Sequence, residues 1–147
     1  MTPATPAVIR SGRVAAERWM RDRCVVRRLT GTTEDDDFVI HPVYEVVYGP
    51  DTPGRAGRCK IQTYDAYERT AESAGASQTT QRSNVHFPVG AFRMEEGDVL
   101  TVLSSVDPML VGRSYRIAQE APVKSLATAY RVFIDENLGQ EVPPWTG

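Results

Sequence analysis

The N-terminal segment has the hydrophobic spacing of an amphipathic helix, with apolar positions on one side and charged positions on the other. The apolar side consists of Val8, Ala15 and Trp19, with Ile9, Ala16 and Met20 beside them. The charged side consists of Arg10, Arg13, Glu17 and Arg21. Thr5 can cap this helix, with Pro6 at its first position, where the missing N–H costs nothing. We therefore predict an N-terminal arm and helix over residues 1–23.

From Cys24 onward the apolar positions alternate with a period of two, as in β-strands. Seven short segments carry this pattern, with turn signals such as Gly97–Asp98 between them. They are residues 24–30, 41–48, 58–63, 79–89, 99–103, 114–118 and 129–134. The pattern predicts a mainly β fold, a small β-barrel or sandwich of about seven short strands over residues 24–136, preceded by the amphipathic α-helix.

Three segments interrupt the β pattern. Residues 32–38 form an acidic hairpin tip, and residues 64–78 are polar and Ala-rich, which predicts a mobile loop with one helical turn. Residues 137–147 are a Pro-rich tail that contains Trp145. Long loops seldom persist in a compact chain without a use, and an aromatic residue at a chain end is a common docking element. Fraying of the last three residues is the alternative for the tail.

Length and composition fit one globular domain. The chain has 147 residues, of which 41% are hydrophobic and 24% charged, values that are ordinary for folded proteins and too apolar for a disordered one. No stretch approaches the roughly 18 uncharged apolar residues of a membrane span. The N-terminus also lacks the apolar core of a secretion signal. We therefore expect no membrane association and an intracellular protein.

The residue types that carry catalysis or bind metals do not occur in a suitable pattern. Cys24 and Cys59 form no CxxC pair, and neither His41 nor His86 has neighbours at zinc-ligand spacing. The acidic run at 34–37 lacks the glycine and distal glutamate of a calcium-binding loop. The chain also has no nucleophile elbow and no phosphate-binding glycine loop. We expect no enzymatic activity, no metal and no cofactor, and interpret the two cysteines as structural thiols.

Charge is distributed unevenly along the chain. Residues 8–28 contain seven arginines against two acidic residues, whereas the whole chain has a net charge of −2. A basic segment on an acidic body predicts docking onto an acidic partner or phosphate. We place this docking on Arg10, Arg13, Arg18, Trp19 and Arg21, with Trp19 as the anchor. The alternatives are a solvated helix face and a Trp19 that packs on the body of the protein.

The C-terminal half resembles a known family of virion proteins. The sequence GDVLTVLSSVDPMLVGRSYRI at 97–117, followed by KSLATAYRV at 124–132, is similar to head-closure, or head-to-tail stopper, proteins of tailed phages that infect actinobacteria. The order of the preceding segments fits too: RSGRVAAERWMRDRCVVRR at 10–28, the YEVVY strand, and GRCKIQTY at 57–64. The resemblance covers residues 9–135, and its most distinctive part is the DPxLVGRxYR stretch.

This resemblance implies a β-barrel subunit that assembles into a homo-oligomeric ring in the virion neck. Such a ring lies below the portal and its adaptor, closes the DNA-filled head and receives the tail. The implied partners are the portal or adaptor protein on the head side, tail terminator or tail-tube proteins on the tail side, and packaged DNA in the lumen without sequence specificity. The resemblance also implies no catalytic residues. The expected locations are the virion neck and, during assembly, the host cytoplasm.

Within this interpretation, three further sets of residues receive expected roles. The loop at 64–78, with Glu68, Arg69, Thr70, Glu72 and Gly75, is our candidate for a gate facing the lumen, although the 32–38 loop could serve instead. The second set is the acidic contact loop at the hairpin tip, which consists of Glu34, Asp35, Asp36 and Asp37. The third is Trp145, a candidate contact with the tail.

Two other functions remain open at this point. The first is a tail terminator or an adaptor in an adjacent ring of the same neck. The second is a small OB-like module that binds nucleic acid, because such barrels stack bases on aromatic side chains within a basic groove. A salt-dependent DNA affinity would favour the nucleic-acid module, and salt-insensitive self-association would favour a ring component.

Overall fold

A computed structural model describes residues 6–63, 67–70, 77–80, 83–90, 92–122, 125–136 and 142–146. Within these residues, helix α1 (Ala7–Arg18) is followed by nine strands. They are β1 (Asp22–Glu34), β2 (Ile40–Tyr48), β3 (Arg58–Thr63), β4 (Tyr67–Thr70), β5 (Ser77–Thr80), β6 (Ser83–Phe87), β7 (Val99–Ser104), β8 (Ser114–Glu120) and β9 (Tyr130–Glu136). The predicted mainly β fold with an N-terminal helix is confirmed, and all seven predicted strand segments contain a strand.

Six of the strands close into an antiparallel barrel. The seven-stranded sheet has the order β2-β1-β3-β6-β9-β8-β7, and β1 also pairs with β7, which joins the two sides. Strand β2 pairs with β1 outside this closed ring of strands. The ladder between them shifts register between Val26 and Arg27 and again between Leu29 and Gly31. Beyond Arg27, the last β1 residue paired with β7, the two strands continue as a separate ribbon.

Alternating side chains from the barrel strands fill the core. Each barrel strand contributes fully or almost fully buried residues, among them Cys24, Val26, Cys59, Val85, Phe87, Leu100, Val102, Ile117, Val132 and Ile134. An aromatic cluster of Tyr48, Phe87, Phe92 and Tyr130 lies at one end, with the Tyr48 and Phe92 ring centroids 4.5 Å apart. Both cysteines are buried free thiols, which agrees with the structural role predicted for them.

The start of the helix differs from the sequence prediction. Pro6 is the N-cap residue and not the first helical residue, because its ψ of 144° is extended. Its carbonyl oxygen accepts the N–H groups of Ile9 at 3.0 Å and Arg10 at 3.1 Å. Thr5, the predicted cap, lies outside the described residues.

The acidic hairpin loop is shorter than the predicted 32–38. Strand β1 continues to Glu34, and Thr32 and Thr33 pair with Pro42 and His41 of β2. Threonine is β-branched and favours the extended backbone that this pairing requires. Only residues 35–39 form the turn.

The prediction of a helical turn within 64–78 was wrong for the described part of that segment. Strand β4 pairs with β5 in a two-stranded sheet of its own, with Tyr67 opposite Thr80 and Thr70 opposite Ser77. Tyrosine and threonine favour strands, and their pairing replaces the expected helix. The predicted strand 79–89 is accordingly two strands, the second half of β5 and the whole of β6.

The buried side chain of Asp98 connects β1 to the turn before β7. Asp98 is 1% exposed, and its two carboxylate oxygens accept hydrogen bonds from Nε and Nη2 of Arg28 at 2.9 and 3.0 Å. Its Oδ2 also accepts the Glu95 N–H at 2.8 Å. Gly97, at φ 93°, makes the turn that brings Asp98 into position. This two-point contact holds the start of β7 against β1, where the barrel closes.

We expect Asp98→Ala to destabilise the protein by about 3 kcal/mol, because it leaves a partly buried guanidinium and a backbone N–H without their acceptor. Chemical denaturation would measure this loss. The matched control is Arg93→Ala, which removes a two-point pair with Glu120 in which the Arg93 side chain is 79% exposed. That loss should stay below about 1 kcal/mol. Equal losses in the two variants would contradict a special role for Asp98.

Candidate interaction surfaces

Helix α1 is held on the barrel by a small contact with the segment before β9. Gly12 lies so close to Thr128 that a Cβ at position 12 would be 3.2 Å from the Thr128 Cγ2. The Arg13 Nε donates a hydrogen bond to the carbonyl oxygen of Ala127 at 3.0 Å. Met20, just after the helix, is 3% exposed. No residue of α1 itself is buried, so most of the helix surface faces outward.

The predicted docking residues are mostly on that outward surface. Trp19 is 68% exposed, so the alternative in which it packs on the barrel does not occur. Arg10, Arg18 and Arg21 are exposed as well. Arg13 is the exception, because its contact with Ala127 makes it part of the attachment of the helix. Apart from Arg13, the set stays a prediction of a docking surface.

Asp35 builds the turn at the end of the β1–β2 hairpin. Its Oδ1 accepts the N–H groups of Asp37 and Val39, both at 2.9 Å, and its Oδ2 lies 2.7 Å from the His41 Nε2. The hydrogen bond with His41, and then those with the backbone, hold the pKa of Asp35 below its usual value. Asp35 therefore shapes the turn, whereas the other predicted contact residues, Glu34, Asp36 and Asp37, are exposed acidic groups around it.

The same hairpin exposes apolar side chains that the sequence analysis assigned to no surface. Phe38 is 82% exposed and Ile40 is 67% exposed. Leu29, Val39, Val43 and Val46 are exposed along the ribbon. Large apolar groups gathered on one protruding element are typical of a protein–protein contact. The signal in the sequence was the FVI run directly after the acidic residues.

The turn between β7 and β8 is a second apolar surface. Gly112 has φ 83° and its N–H bonds to the Val102 carbonyl oxygen at 2.9 Å, so this glycine serves the turn. Yet Val106 is 74% exposed and Met109 is 70% exposed on the same turn. The DPxLVG stretch carries the family resemblance, but the exposure of these two side chains was not predicted.

A buried arginine ties the C-terminal segment to the barrel. Arg27 is 6% exposed, and its Nη1 donates to the Pro143 carbonyl oxygen at 2.6 Å. Its Nη2 donates to the Thr101 Oγ1 at 3.3 Å, and its guanidinium carbon lies 5.9 Å from the Tyr44 ring centroid. Burial lowers the pKa of Arg27. Trp145 is half-buried, so the described part of the predicted tail packs on the protein.

The candidate gating residues fall partly within the described structure. Glu68, Arg69 and Thr70 belong to β4, where their partners on β5 are Thr79, Gln78 and Ser77. Glu72 and Gly75 lie outside the described residues. The β4–β5 pair is a sheet separate from the barrel sheet, and its role stays a prediction.

A row of basic residues crosses three strands of the barrel. Lys60 on β3 is opposite His86 on β6, and His86 is opposite Arg131 on β9. Burial, and then the charges of Arg131 and Lys60, lower the pKa of His86 to about 4. His86 is therefore neutral near pH 7, and the positive charge of the row lies at its two ends.

The low pKa of His86 predicts a loss of stability in acid. Because the ordinary value is 6.5 and the folded value about 4, the unfolded chain binds a proton between these pH values that the folded chain does not. Stability should thus fall as the pH is lowered through this window. Thermal unfolding midpoints from pH 7 to 4.5 would measure the effect. His86→Gln should remove part of the fall and His41→Gln should not; identical pH profiles in the two variants would count against this cause.

A pocket opens on the outer side of β9, next to the attachment of the helix. Its volume is about 320 Å³. Pro122, Leu126 and Phe133 contribute apolar walls, and Arg13 and Arg131 contribute cations. Leu126 is 54% exposed and has φ 60°, a left-handed backbone that a bulky residue seldom adopts. The pocket is thus an apolar cavity with arginines in its lining.

The described residues contain no group of three or more His, Cys, Asp or Glu side chains that could hold a metal ion. Burial, and then a hydrogen bond with Cys59, raise the pKa of the Cys24 thiol well above its ordinary value, which keeps it protonated and poorly nucleophilic. In the part of the chain that the structure describes, no helix has the length and hydropathy to cross a membrane.

Comparisons with known proteins give one family and one distant structure. Residues 12–135 match a family described as "Family of unknown function (DUF6093)". No curated protein matches the chain. A solved structure, the phage-like element PBSX protein xkdH from Bacillus subtilis, is similar at 15% identity and a TM-score of 0.37, over 79% of this chain and 93% of that one. This likeness is too low to assign a role.

Proposed function

We propose a structural role in the neck of a tailed phage for this chain, which belongs to the family of unknown function DUF6093. In this proposal the protein is not an enzyme. It forms a homo-oligomeric ring between the portal or adaptor and the tail, closes the DNA-filled head and offers the tail its docking platform. The solved chain from a phage-like element agrees with this proposal but adds no support of its own, because the structural likeness is low.

The observation that carries the proposal is the distribution of exposed apolar side chains. They occur at three separate places on one small barrel: on α1 with Trp19, at the hairpin tip with Phe38, and on the β7–β8 turn with Met109. A subunit within a stack of rings needs two lateral contacts, one contact above and one below. Several separate apolar surfaces on a small domain fit that requirement. The head-closure resemblance of residues 97–117 falls on β7, this turn and β8.

Each surface has a place in the proposed ring. Arg10 and Arg18 on α1, with Trp19 and Arg21 just after it, would bind the acidic groups of a portal or adaptor ring. Aromatic and arginine side chains are the ones most enriched at interface hot spots. The C-terminal segment with Trp145 would contact tail terminator or tail-tube proteins, and the β4–β5 pair would face the DNA in the lumen.

A second candidate is the small OB-like module that binds nucleic acid. The observation in its favour is the row of Lys60, His86 and Arg131 across the barrel surface. A neutral His86 at the centre weakens the row as a phosphate site. A tail terminator or an adaptor of the same neck would use the same kinds of contact as a stopper and differs in which neighbours it binds.

Light scattering separates these functions. We expect the purified protein to bind tailless, DNA-filled heads, to form a ring there and to stop DNA leakage. If the protein did not bind heads but bound free DNA with a steep salt dependence, the nucleic-acid module would be favoured over the neck role. A protein that binds tail tubes but not heads would be a tail terminator.

Trp19→Ala should weaken docking onto heads by about 2 kcal/mol per subunit, the cost of removing an interface anchor, and the ring would multiply this loss by avidity. The fold should be unaffected, because Trp19 is 68% exposed. Arg93→Ala is the matched control, since it truncates a side chain that is 79% exposed and lies outside the three apolar surfaces. Attachment of the Trp19 variant at wild-type strength to tailless heads would refute the docking assignment.

Deleting residues 70–77 tests the proposed gate. This deletion shortens the β4–β5 pair, which forms a sheet apart from the barrel sheet. We expect rings that still assemble on heads but let DNA escape, as scored by nuclease-sensitive DNA outside the particles. Particles that retain their DNA would rule out the gating role of this segment.

A further inference from the structure

We propose that the hairpin tip of one copy of this protein, residues 35–40, inserts into the β9 pocket of the next copy. The β9 pocket is the cavity of about 320 Å³ described above, between β9, α1 and the segment before β9. This contact would be the lateral joint of the ring and rests on the ring proposed above. Phe38 is the inserted side chain, and acidic groups of the tip pair with arginines of the pocket.

The barrel topology places the root of the hairpin and the pocket on opposite walls. The closed order of strands is β1-β3-β6-β9-β8-β7, so β9 is three strands from β1 in either direction. The hairpin leaves the barrel from β1 as a two-stranded ribbon, and the pocket lies outside β9. One copy therefore carries the root of the hairpin and the pocket on opposite walls of the barrel. A head-to-tail interface of this kind closes into a ring when its rotation allows.

The apolar parts of the two surfaces are complementary. Phe38 is the most exposed of the large hydrophobic residues in the described structure, at 82%, and Ile40 beside it is 67% exposed. The pocket offers Pro122, Leu126 and Phe133 as walls. Leu126 keeps a strained backbone at φ 60° while its side chain is 54% exposed. Strained residues of this type cluster at sites that clamp a ligand.

The charges of the two surfaces are opposite. Asp36 and Asp37, exposed on the tip, immediately precede Phe38 in the chain. Arg13 and Arg131 line the pocket, and the Arg131 Nε is buried without a hydrogen-bond partner. A carboxylate arriving with the tip would pair with the guanidinium groups that line the pocket. Charge-assisted pairs between arginine and carboxylate are among the stronger hydrogen bonds in proteins. Opposite charges also select one orientation of the tip over others.

Disulfide trapping between copies tests this contact directly. The variants Phe38→Cys and Leu126→Cys, mixed in equal amounts and oxidised with diamide, should give a covalent dimer of one copy of each. The double variant Phe38→Cys/Leu126→Cys should give a ladder of oligomers. Cys24 and Cys59 are buried free thiols, so we expect them to form no disulfides between copies. The matched control replaces the tip cysteine with Met109→Cys, which is exposed on another surface and should trap at least tenfold less.

The same reaction on heads separates this inference from the proposed neck role. Rings that form on tailless heads without 38–126 trapping above the control would overturn the tip-in-pocket contact and leave the neck role standing. If the protein gave 38–126 trapping in solution but did not bind heads, the contact would be supported and the neck role would be overturned. If neither rings nor 38–126 trapping were observed, both the contact and the neck role would be overturned.

A charge variant tests the ionic part of the contact. Asp36→Asn/Asp37→Asn should slow 38–126 trapping and reduce the dependence of its rate on salt, because two of the steering charges are gone. Both positions are exposed. Asp37 contributes its backbone N–H and not its side chain to the hydrogen bond with the Asp35 Oδ1, so the turn is retained. Unchanged trapping with unchanged salt dependence would show that the carboxylates do not meet the arginines.

Discussion

The architecture depends on one strand that pairs with three others. Strand β1 pairs with β7 along one edge, and with β3 and then β2 along the other. Its first half closes the barrel, and the two-point contact between Arg28 and Asp98 secures the closure from outside the ladder. Its second half does not pair with a barrel strand, because the β7 ladder ends at Arg27. A strand of 13 residues in a small barrel therefore produces both the closed fold and the projecting hairpin.

The candidate surfaces occur where elements leave the barrel. The helix before β1, the β1–β2 ribbon, the β7–β8 turn and the C-terminal segment all lie outside the closed ring of strands, and the first three expose large apolar side chains. The last is anchored to the wall by Arg27. Inside, the core uses almost only apolar side chains. The barrel thus acts as a rigid support, and the chemistry available for recognition lies on the extensions that it holds apart.

The sequence predicted what alternation of side chains can reveal. Period-two patterns located the barrel strands because each alternating face is either core or solvent. Strand β4 and the first half of β5 were not predicted, since YERT and SQTT have no apolar face that alternation could reveal. The burial of Arg27 was equally hidden, because its acceptor is a backbone carbonyl more than a hundred residues away. The pocket combines α1 with the segments around β9, and only the closed topology shows that it lies opposite the hairpin.

The register of the β1–β2 ribbon restricts how this region can change in length. Successive residues of a strand point to opposite faces, so a one-residue shift exchanges the two faces of every residue that follows. The two register irregularities already present, at Val26/Arg27 and Leu29/Gly31, add local twist that sets the direction of the ribbon. Natural variants with longer or shorter ribbons should therefore differ by pairs of residues in each strand. A single insertion that no further bulge absorbs would turn Phe38 and its acidic neighbours half a revolution about the ribbon axis.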